Sequence, residues 1–316
     1  MNAAVVESFE RPPTYRTFEE PVAQSDEVLV SVQAAALSTL ARVQAAGAHY
    51  SAGTPPFVPG VDGVGRLDDG RRVYFAFPQP PVGAMAERVA VKEAYLATVP
   101  DSLDDVAAAA LANPGMSSWA ALTERAHLQP GESVLIHGAT STSGRLAIRI
   151  ARHLGAGRIV ATSRSPESED ELLTLGADAF VATGEQDGLA DRFRSEIEAG
   201  VDVVLDYVWG ASAEAFMEAA TGHGAGEAAR RIRFVNIGSL GGAEITLPAA
   251  ALRSSGLELL GSGLGSVSHE SLVRSVAGVL EAAGPAGLQV EVDAVPLTEV
   301  ERAWDSDSSA RTVFTI

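Results

Sequence analysis

Residues 133–165, SVLIHGATSTSGRLAIRIARHLGAGRIVATSRS, constrain the fold of this chain more than any other stretch. Val134, Leu135 and Ile136 form an apolar run of strand type, and small residues follow over 138–144. Leu146, Ile148, Ile150, Ala151 and Leu154 then recur at helical spacing, Gly155 and Gly157 end the helix, and residues 159–161 open a second strand. The pattern predicts a βαβ unit with a glycine-bearing turn at its first strand–helix junction. Such a junction directs backbone N–H groups and the positive end of a helix at a pyrophosphate, which points to a dinucleotide. The strict G-x-G-x-x-G spacing is not met, because Ala139, Thr140, Ser141, Thr142 and Ser143 stand between Gly138 and Gly144. These small residues still allow close approach of a ligand to the backbone, and their hydroxyls can bond phosphate. An ordinary tight turn in an α/β sheet is the alternative, and the motif alone leaves both readings open.

The chain around this unit continues the alternation. Strands are expected over 134–137, 158–162, 179–182, 201–207, 233–238 and 257–261, with helices near 143–154, 167–175, 188–199, 211–220 and 248–254. Six strands with intervening helices are the count of a doubly wound parallel-sheet (Rossmann) domain, assigned to residues 113–264. Residues 1–100 follow a different pattern, in which NAAVVESF, DEVLVSVQAAAL, RRVYFAF and MAERVAVKEAYLATV read as short β runs between Pro/Gly breaks. Residues 53–65 (GTPPFVPGVDGVG) and 78–81 read as loops or turns, and helices are expected over 103–111 and 117–126. After Gly265 come a helix (270–282), a strand (288–295), a short helix (299–306) and a last strand (311–316). These return to a mostly β domain made of residues 1–112 and 265–316.

Composition narrows the function classes. With 41 acidic against 23 basic residues the formal charge is −18, a field that repels nucleic acid and anionic membrane alike. Cysteine is absent, so disulfides and thiolate chemistry are excluded. Residues 1–11 read as a strand rather than a secretory signal, and no run approaches the ~20 apolar residues of a membrane span. A cytoplasmic protein is the expectation. Every basic residue except Lys92 is arginine, which tests several lysine chemistries at one position. Val91 precedes it, where a P-loop needs Gly, and Arg88 stands where a short-chain dehydrogenase would place Tyr.

The order of segments resembles the medium-chain dehydrogenase/reductase superfamily, and more narrowly its zinc-free quinone oxidoreductase branch. Five markers carry the resemblance over nearly the whole chain: FVPGVDGVG (57–65), LANPGMSSWAAL (111–122), LQPGESVLIHGATSTSG (128–144), VDVVLDYVWG (201–210) and FVNIGSLGG (234–242). It implies a GroES-like β domain beside the Rossmann domain. Zinc-dependent members carry Cys in the AAA-L-S segment and Gly-His-Glu in the PGVDG segment. Ser38 and Gly60-Val61-Asp62 stand there, and the six histidines form no His-x-x-x-His pair, so no metal is expected. Without a Lewis acid, hydride addition to an already electrophilic acceptor is favoured over alcohol oxidation.

The expected function is an NADPH-dependent reductase passing hydride to a small-molecule quinone or α,β-unsaturated carbonyl. The alternative is an NADPH-binding redox sensor or structural protein of the same fold without efficient turnover. NAD-binding folds usually place Asp or Glu at the end of the second strand. Here Thr162 is followed by Ser163, Arg164 and Ser165, with no acid before Glu167, which favours a 2′-phosphate and hence NADP(H). The pyrophosphate is expected at Gly138, Thr140, Ser141, Thr142, Ser143 and Gly144. The nicotinamide is expected near Asn113, Ser117, Asn236, Ile237, Gly238, Gly261, Ser262 and Gly263, with Tyr207 and Trp209 either lining that region or merely packing. Family relatives place Ser38, Tyr50, Phe57 and Val61 at the acceptor. Tyr50 is the candidate proton donor, with a partly exposed loop tyrosine as the alternative and solvent as the other proton source. Relatives usually pair as homodimers, often joining dinucleotide-domain sheets edge to edge, and the same is expected here.

Overall fold

In a computed structural model the chain is described over residues 1–49, 51–221, 229–306 and 308–316. It divides into two compact units: Met1–Asn113, Leu272–Gly284 and Gln289–Ile316 in the first, Pro114–Ser271 and Pro285–Leu288 in the second.

The first unit opens with β1 (Asn2–Val5) and β2 (Thr14–Thr17), an antiparallel pair. Then come β3 (Glu27–Ala36), α1 (Thr39–Ala45), β4 (Asp62–Arg66), β5 (Arg72–Ala76), β6 (Arg88–Lys92), β7 (Leu96–Thr98) and α2 (Asp105–Ala120), whose residues from Pro114 onward belong to the second unit. The expectation of a loop through residue 65 is corrected here: β4 pairs with both β3 and β5. Gly65 serves strand packing, since a Cβ there would come within 2.6 Å of Val30 Cγ1. The two helices expected over 103–126 are also one. Pro114 lies inside α2, and the chain continues as a π-helical turn over Ala121–Arg125. Ala108, Ala109, Ala110, Leu111 and Ala112 are all buried, and their packing overrides the ~3 kcal/mol penalty of an internal proline.

The second unit holds β8 (Ser133–His137), α3 (Thr142–His153), β9 (Arg158–Ser163), α4 (Glu169–Thr174), β10 (Ala179–Ala182) and α5 (Leu189–Gly200). It continues with β11 (Val203–Asp206), α6 (Gly210–Ala220), β12 (Arg231–Asn236), α7 (Ala249–Arg253) and β13 (Gly256–Gly261). All six strands run parallel in the order β10-β9-β8-β11-β12-β13. All five residues of β8 are buried, as expected of a central parallel strand covered on both faces. In α3, Leu146, Ala147, Ile150 and Ala151 turn a buried face to the sheet while Arg145, Arg152 and His153 stay at the surface. Strand order reverses between β8 and β11, so the crevice of a doubly wound sheet opens outside their carboxyl ends.

The chain then forms α8 (His269–Ala282), β14 (Val292–Pro296), α9 (Val300–Ala303) and β15 (Arg311–Thr315). β15 pairs with β3 and β14 extends beyond it, giving the seven-stranded sheet of the first unit with β6 attached to β3.

Candidate functional site

The turn from β8 into α3 is a built cradle. Ser141 caps α3, its Oγ accepting from the Gly144 amide at 3.0 Å and donating to the Gly138 carbonyl at 3.1 Å. Gly138 has φ +91°, and a Cβ there would sit 2.8 Å from Val208 Cγ2. A Cβ at Gly144 would fall 2.6 Å from Ala139 Cα. The two end glycines are therefore required by close packing of turn, helix and strand, which is what the missing middle glycine had left open. The hydroxyls of Thr140, Thr142 and Ser143 make no hydrogen bond among the described residues, and the first-turn N–H groups of Thr142 and Ser143 lack intrahelical acceptors. The arrangement can hold an anion at the switch point. Arg145 does not contribute: its guanidinium is engaged by Glu171, with Nε 2.6 Å from Oε1.

Ser163, Arg164 and Ser165 follow at the end of β9. Ser163 is buried, and its Oγ accepts from the Ser165 amide at 3.2 Å. Arg164 is exposed, with no ion pair among the described residues, whereas Arg152, Arg158, Arg230 and Arg231 each hold a carboxylate. One feature escaped the sequence: the turn folds Glu167 back so that Ser165 Oγ donates to its carboxylate, a bond that holds the Glu167 carboxyl below its usual range.

At the carboxyl ends of β11 and β12 the organising group is Asp206, which is fully buried. Its carboxylate accepts from the amides of Val208 and Trp209, both at 3.0 Å, and from Asn236 Nδ2 at 3.2 Å. Its carbonyl accepts from the amides of Ile237 and Gly238. His137 Nδ1 approaches Asp206 Oδ1 to 3.0 Å without the geometry of a hydrogen bond. These bonds hold Trp209 at φ 60°, ψ −159°, a backbone conformation that costs a non-glycine residue about 1–3 kcal/mol and clusters at functional sites. Asn236, Ile237 and Gly238 are thus brought to one edge with Ser262, whose amide donates to the Asn236 carbonyl at 2.9 Å. Gly261 and Gly263 flank Ser262, and a Cβ on either would meet nothing within 4 Å. Ser117 lies on α2, its Oγ 3.4 Å from the Tyr207 hydroxyl. Asn113 is half-buried on the same helix.

The acceptor candidates of the first unit have local duties. Ser38 is buried and caps α1, its Oγ accepting from the Ala41 amide at 3.1 Å. Phe57 is buried in the core of that unit, and Val61 is half-buried. Tyr50 lies outside the described residues. Sequence reading missed what surrounds Asp62. Only 2% exposed, it accepts from the Tyr74 hydroxyl at 3.1 Å and faces the Arg311 guanidinium. Burial pushes its carboxyl up to about 6, against the opposing pull of Arg311 and Tyr74. Burial and Asp62 together drive the Tyr74 hydroxyl well above its ordinary value, and burial lowers Arg311. No local signal marks this cluster, because its members come from β4, β5 and β15.

The fold and the glycine cradle define an α/β protein of the doubly wound class, and comparison with known proteins refines this. A family model described as zinc-binding dehydrogenase matches residues 144–281. The probable NADPH-dependent quinone reductase tdiC of Emericella nidulans is 29% identical, over 98% of this chain and 98% of that one. The quinone oxidoreductase of Thermus thermophilus, solved also in complex with NADPH, superposes with a TM-score of 0.77 at 28% identity, covering 100% of both chains. A 133-residue stretch is 35% identical to part of the phthioceranic/hydroxyphthioceranic acid synthase of Mycobacterium tuberculosis, covering 42% of this chain but only 6% of that protein. Over nearly its whole length the chain is similar to quinone reductases of the medium-chain dehydrogenase/reductase superfamily.

Proposed function

We propose that this protein is an NADPH-dependent reductase that passes hydride to a quinone or an α,β-unsaturated carbonyl without zinc. The observation that carries the proposal is the Gly138–Gly144 cradle at the switch point, continued at the end of β9 by Arg164, which has no ion pair among the described residues. The cradle fits a pyrophosphate: its end glycines leave no room for a Cβ, and the hydroxyls of Thr140, Thr142 and Ser143 with the amides of Thr142 and Ser143 have no acceptor among the described residues. Arg164, with Ser163 beside it, suits a 2′-phosphate, and neither residue brings the carboxylate that would repel one. The full-length likeness to a probable NADPH-dependent quinone reductase and to a quinone oxidoreductase solved with NADPH supports both halves of this reading.

When bound, the reduced nicotinamide supplies the hydride. The chain's part is to orient it: Asp206 fixes the edge formed by Asn236, Ile237 and Gly238, and the cradle fixes the phosphates. Zinc does not suit the donor set. The Ser38 hydroxyl is engaged as a helix cap, and Asp62 accepts from Tyr74 within the field of the Arg311 guanidinium, a cation that competes with a metal. Tyr50 remains the proposed proton donor, with solvent as the alternative source, and Ser38, Phe57 and Val61 the proposed acceptor surroundings.

We further propose a cytoplasmic homodimer. Among the described residues β13 pairs on one side only, and Leu240, Leu252 and Leu264 of the same unit are 79%, 45% and 40% exposed. Among the described residues no helix is long and apolar enough to cross a membrane.

The test is NADPH consumption with a panel of quinones and enones in the presence of a metal chelator. Turnover on at least one acceptor, unchanged by the chelator, is expected. Tight NADPH binding with no turnover on any acceptor would favour a redox sensor instead, and loss of activity with chelator would refute zinc independence.

A further inference from the structure

We infer that Tyr207 orients the nicotinamide ring by accepting a hydrogen bond from the N–H of its carboxamide. The inference rests on the NADP(H) reading and deepens it. Topology places the residue. The strand order reverses between β8 and β11, with β9 and β10 on one side and β12 and β13 on the other. A dinucleotide laid across that reversal with its pyrophosphate on the Gly138 turn and its 2′-phosphate at the end of β9 has its nicotinamide half outside β11 to β13. Tyr207 is the first residue beyond β11. Its Cβ lies 3.5 Å from where a Cβ on Gly138 would stand, so its side chain starts beside the cradle on the nicotinamide side.

The hydroxyl's own bonding defines what it can offer. Ser117 Oγ donates to the Pro114 carbonyl at 2.8 Å, and Ser118 Oγ donates to the Gly115 carbonyl at 3.1 Å. With both serine protons directed at α2 carbonyls, the 3.4 Å contact between Tyr207 and Ser117 has the phenol as donor. The phenol oxygen keeps a lone pair for an incoming N–H. Burial holds the hydroxyl up to about 12 despite the two serines, so it remains a neutral phenol across the working pH range. That makes it a poor proton source and a stable acceptor, a cofactor-orienting group rather than an acid. Asp206 and the bonds to Val208 and Trp209 immobilise the backbone on which it sits.

The test compares binding of three oxidised cofactors, followed by calorimetry or quenching of tryptophan fluorescence. NADP+ and its thionicotinamide analogue both carry the N–H group, and the 3-acetylpyridine analogue lacks it. The wild type should bind the first two alike and the third about three- to tenfold more weakly, the range of one net hydrogen bond. In Tyr207→Phe the NADP+ Kd should rise by a similar factor and the discrimination should vanish. Its affinity for 2′,5′-ADP, which carries only the adenosine half, should be unchanged. Equal wild-type affinity for NADP+ and the acetylpyridine analogue would overturn the inference without any variant, as would a Tyr207→Phe protein that still discriminates. Failure of the wild type to bind both NADP+ and 2′,5′-ADP would instead sink the underlying cofactor reading, and the inference with it.

Discussion

Asp62 and Arg164 are two ionisable side chains in opposite settings, one buried and bonded to Tyr74, the other exposed and without an ion pair among the described residues. The Asp62 carboxyl titrates near 6 in the fold and near 3.8 when unfolded. Between those values the folded protein holds the extra proton, so this group's contribution to stability is full below the lower value and is lost as pH rises toward and through 6. The size of the shift corresponds to about 3 kcal/mol. Asp62→Asn cannot ionise, so the wild-type stability relative to this variant should fall by up to that amount between pH 4 and pH 7 in denaturant titrations. A difference independent of pH would show that the carboxyl is not perturbed. At Arg164 the expected effect is on the ligand: Arg164→Ala should weaken NADPH binding about tenfold or more while leaving NADH affinity nearly unchanged, because a bidentate charge-assisted contact to the 2′-phosphate is lost. Equal NADPH affinity in the two proteins would remove the 2′-phosphate from this position. The position of Arg164 was legible in the sequence because it follows directly on a strand end, a local feature. The surroundings of Asp62 were not, since they depend on three strands distant in the chain. Nor was the Ser165–Glu167 bond, which a tight turn creates two residues beyond the segment where acids were sought.

Elements were legible where their signal is local and periodic. The six parallel strands and α3 alternate as their apolar spacing dictates, because strands buried on both faces and an amphipathic helix carry their pattern within a few residues. α2 and β4 were not legible, because Pro and Gly speak there for a break that tertiary packing overrules. Alanines buried along α2 hold the helix through Pro114, and strands β3 and β5 on either side of β4 require its glycines as close neighbours. At the cradle the residues themselves were legible but their bonds were not. Ser141 is both cap and turn staple, so Ser141→Ala should destabilise the second unit by about 1 kcal/mol, read as a lowered Tm. An unchanged Tm would mean that the turn is held by glycine packing alone.

For the whole molecule, the chain joins a cofactor-binding parallel sheet to a β unit in which Ser38 caps a helix and Asp62 accepts from Tyr74. The one-sided edge of β13 leads to a solution mass of two 32.7 kDa protomers by light scattering, and a monomer at all accessible concentrations would contradict the proposed homodimer. The proposed chemistry is hydride transfer from NADPH to an activated acceptor without metal. It is put to the test by incubating the chelator-treated protein with an enone and NADPH deuterated at nicotinamide C4 on the transferred face. The expected outcome is a reduced product carrying one deuterium on carbon, formed in step with NADP+. A product without deuterium, or bound NADPH that no enone or quinone oxidises, would contradict it.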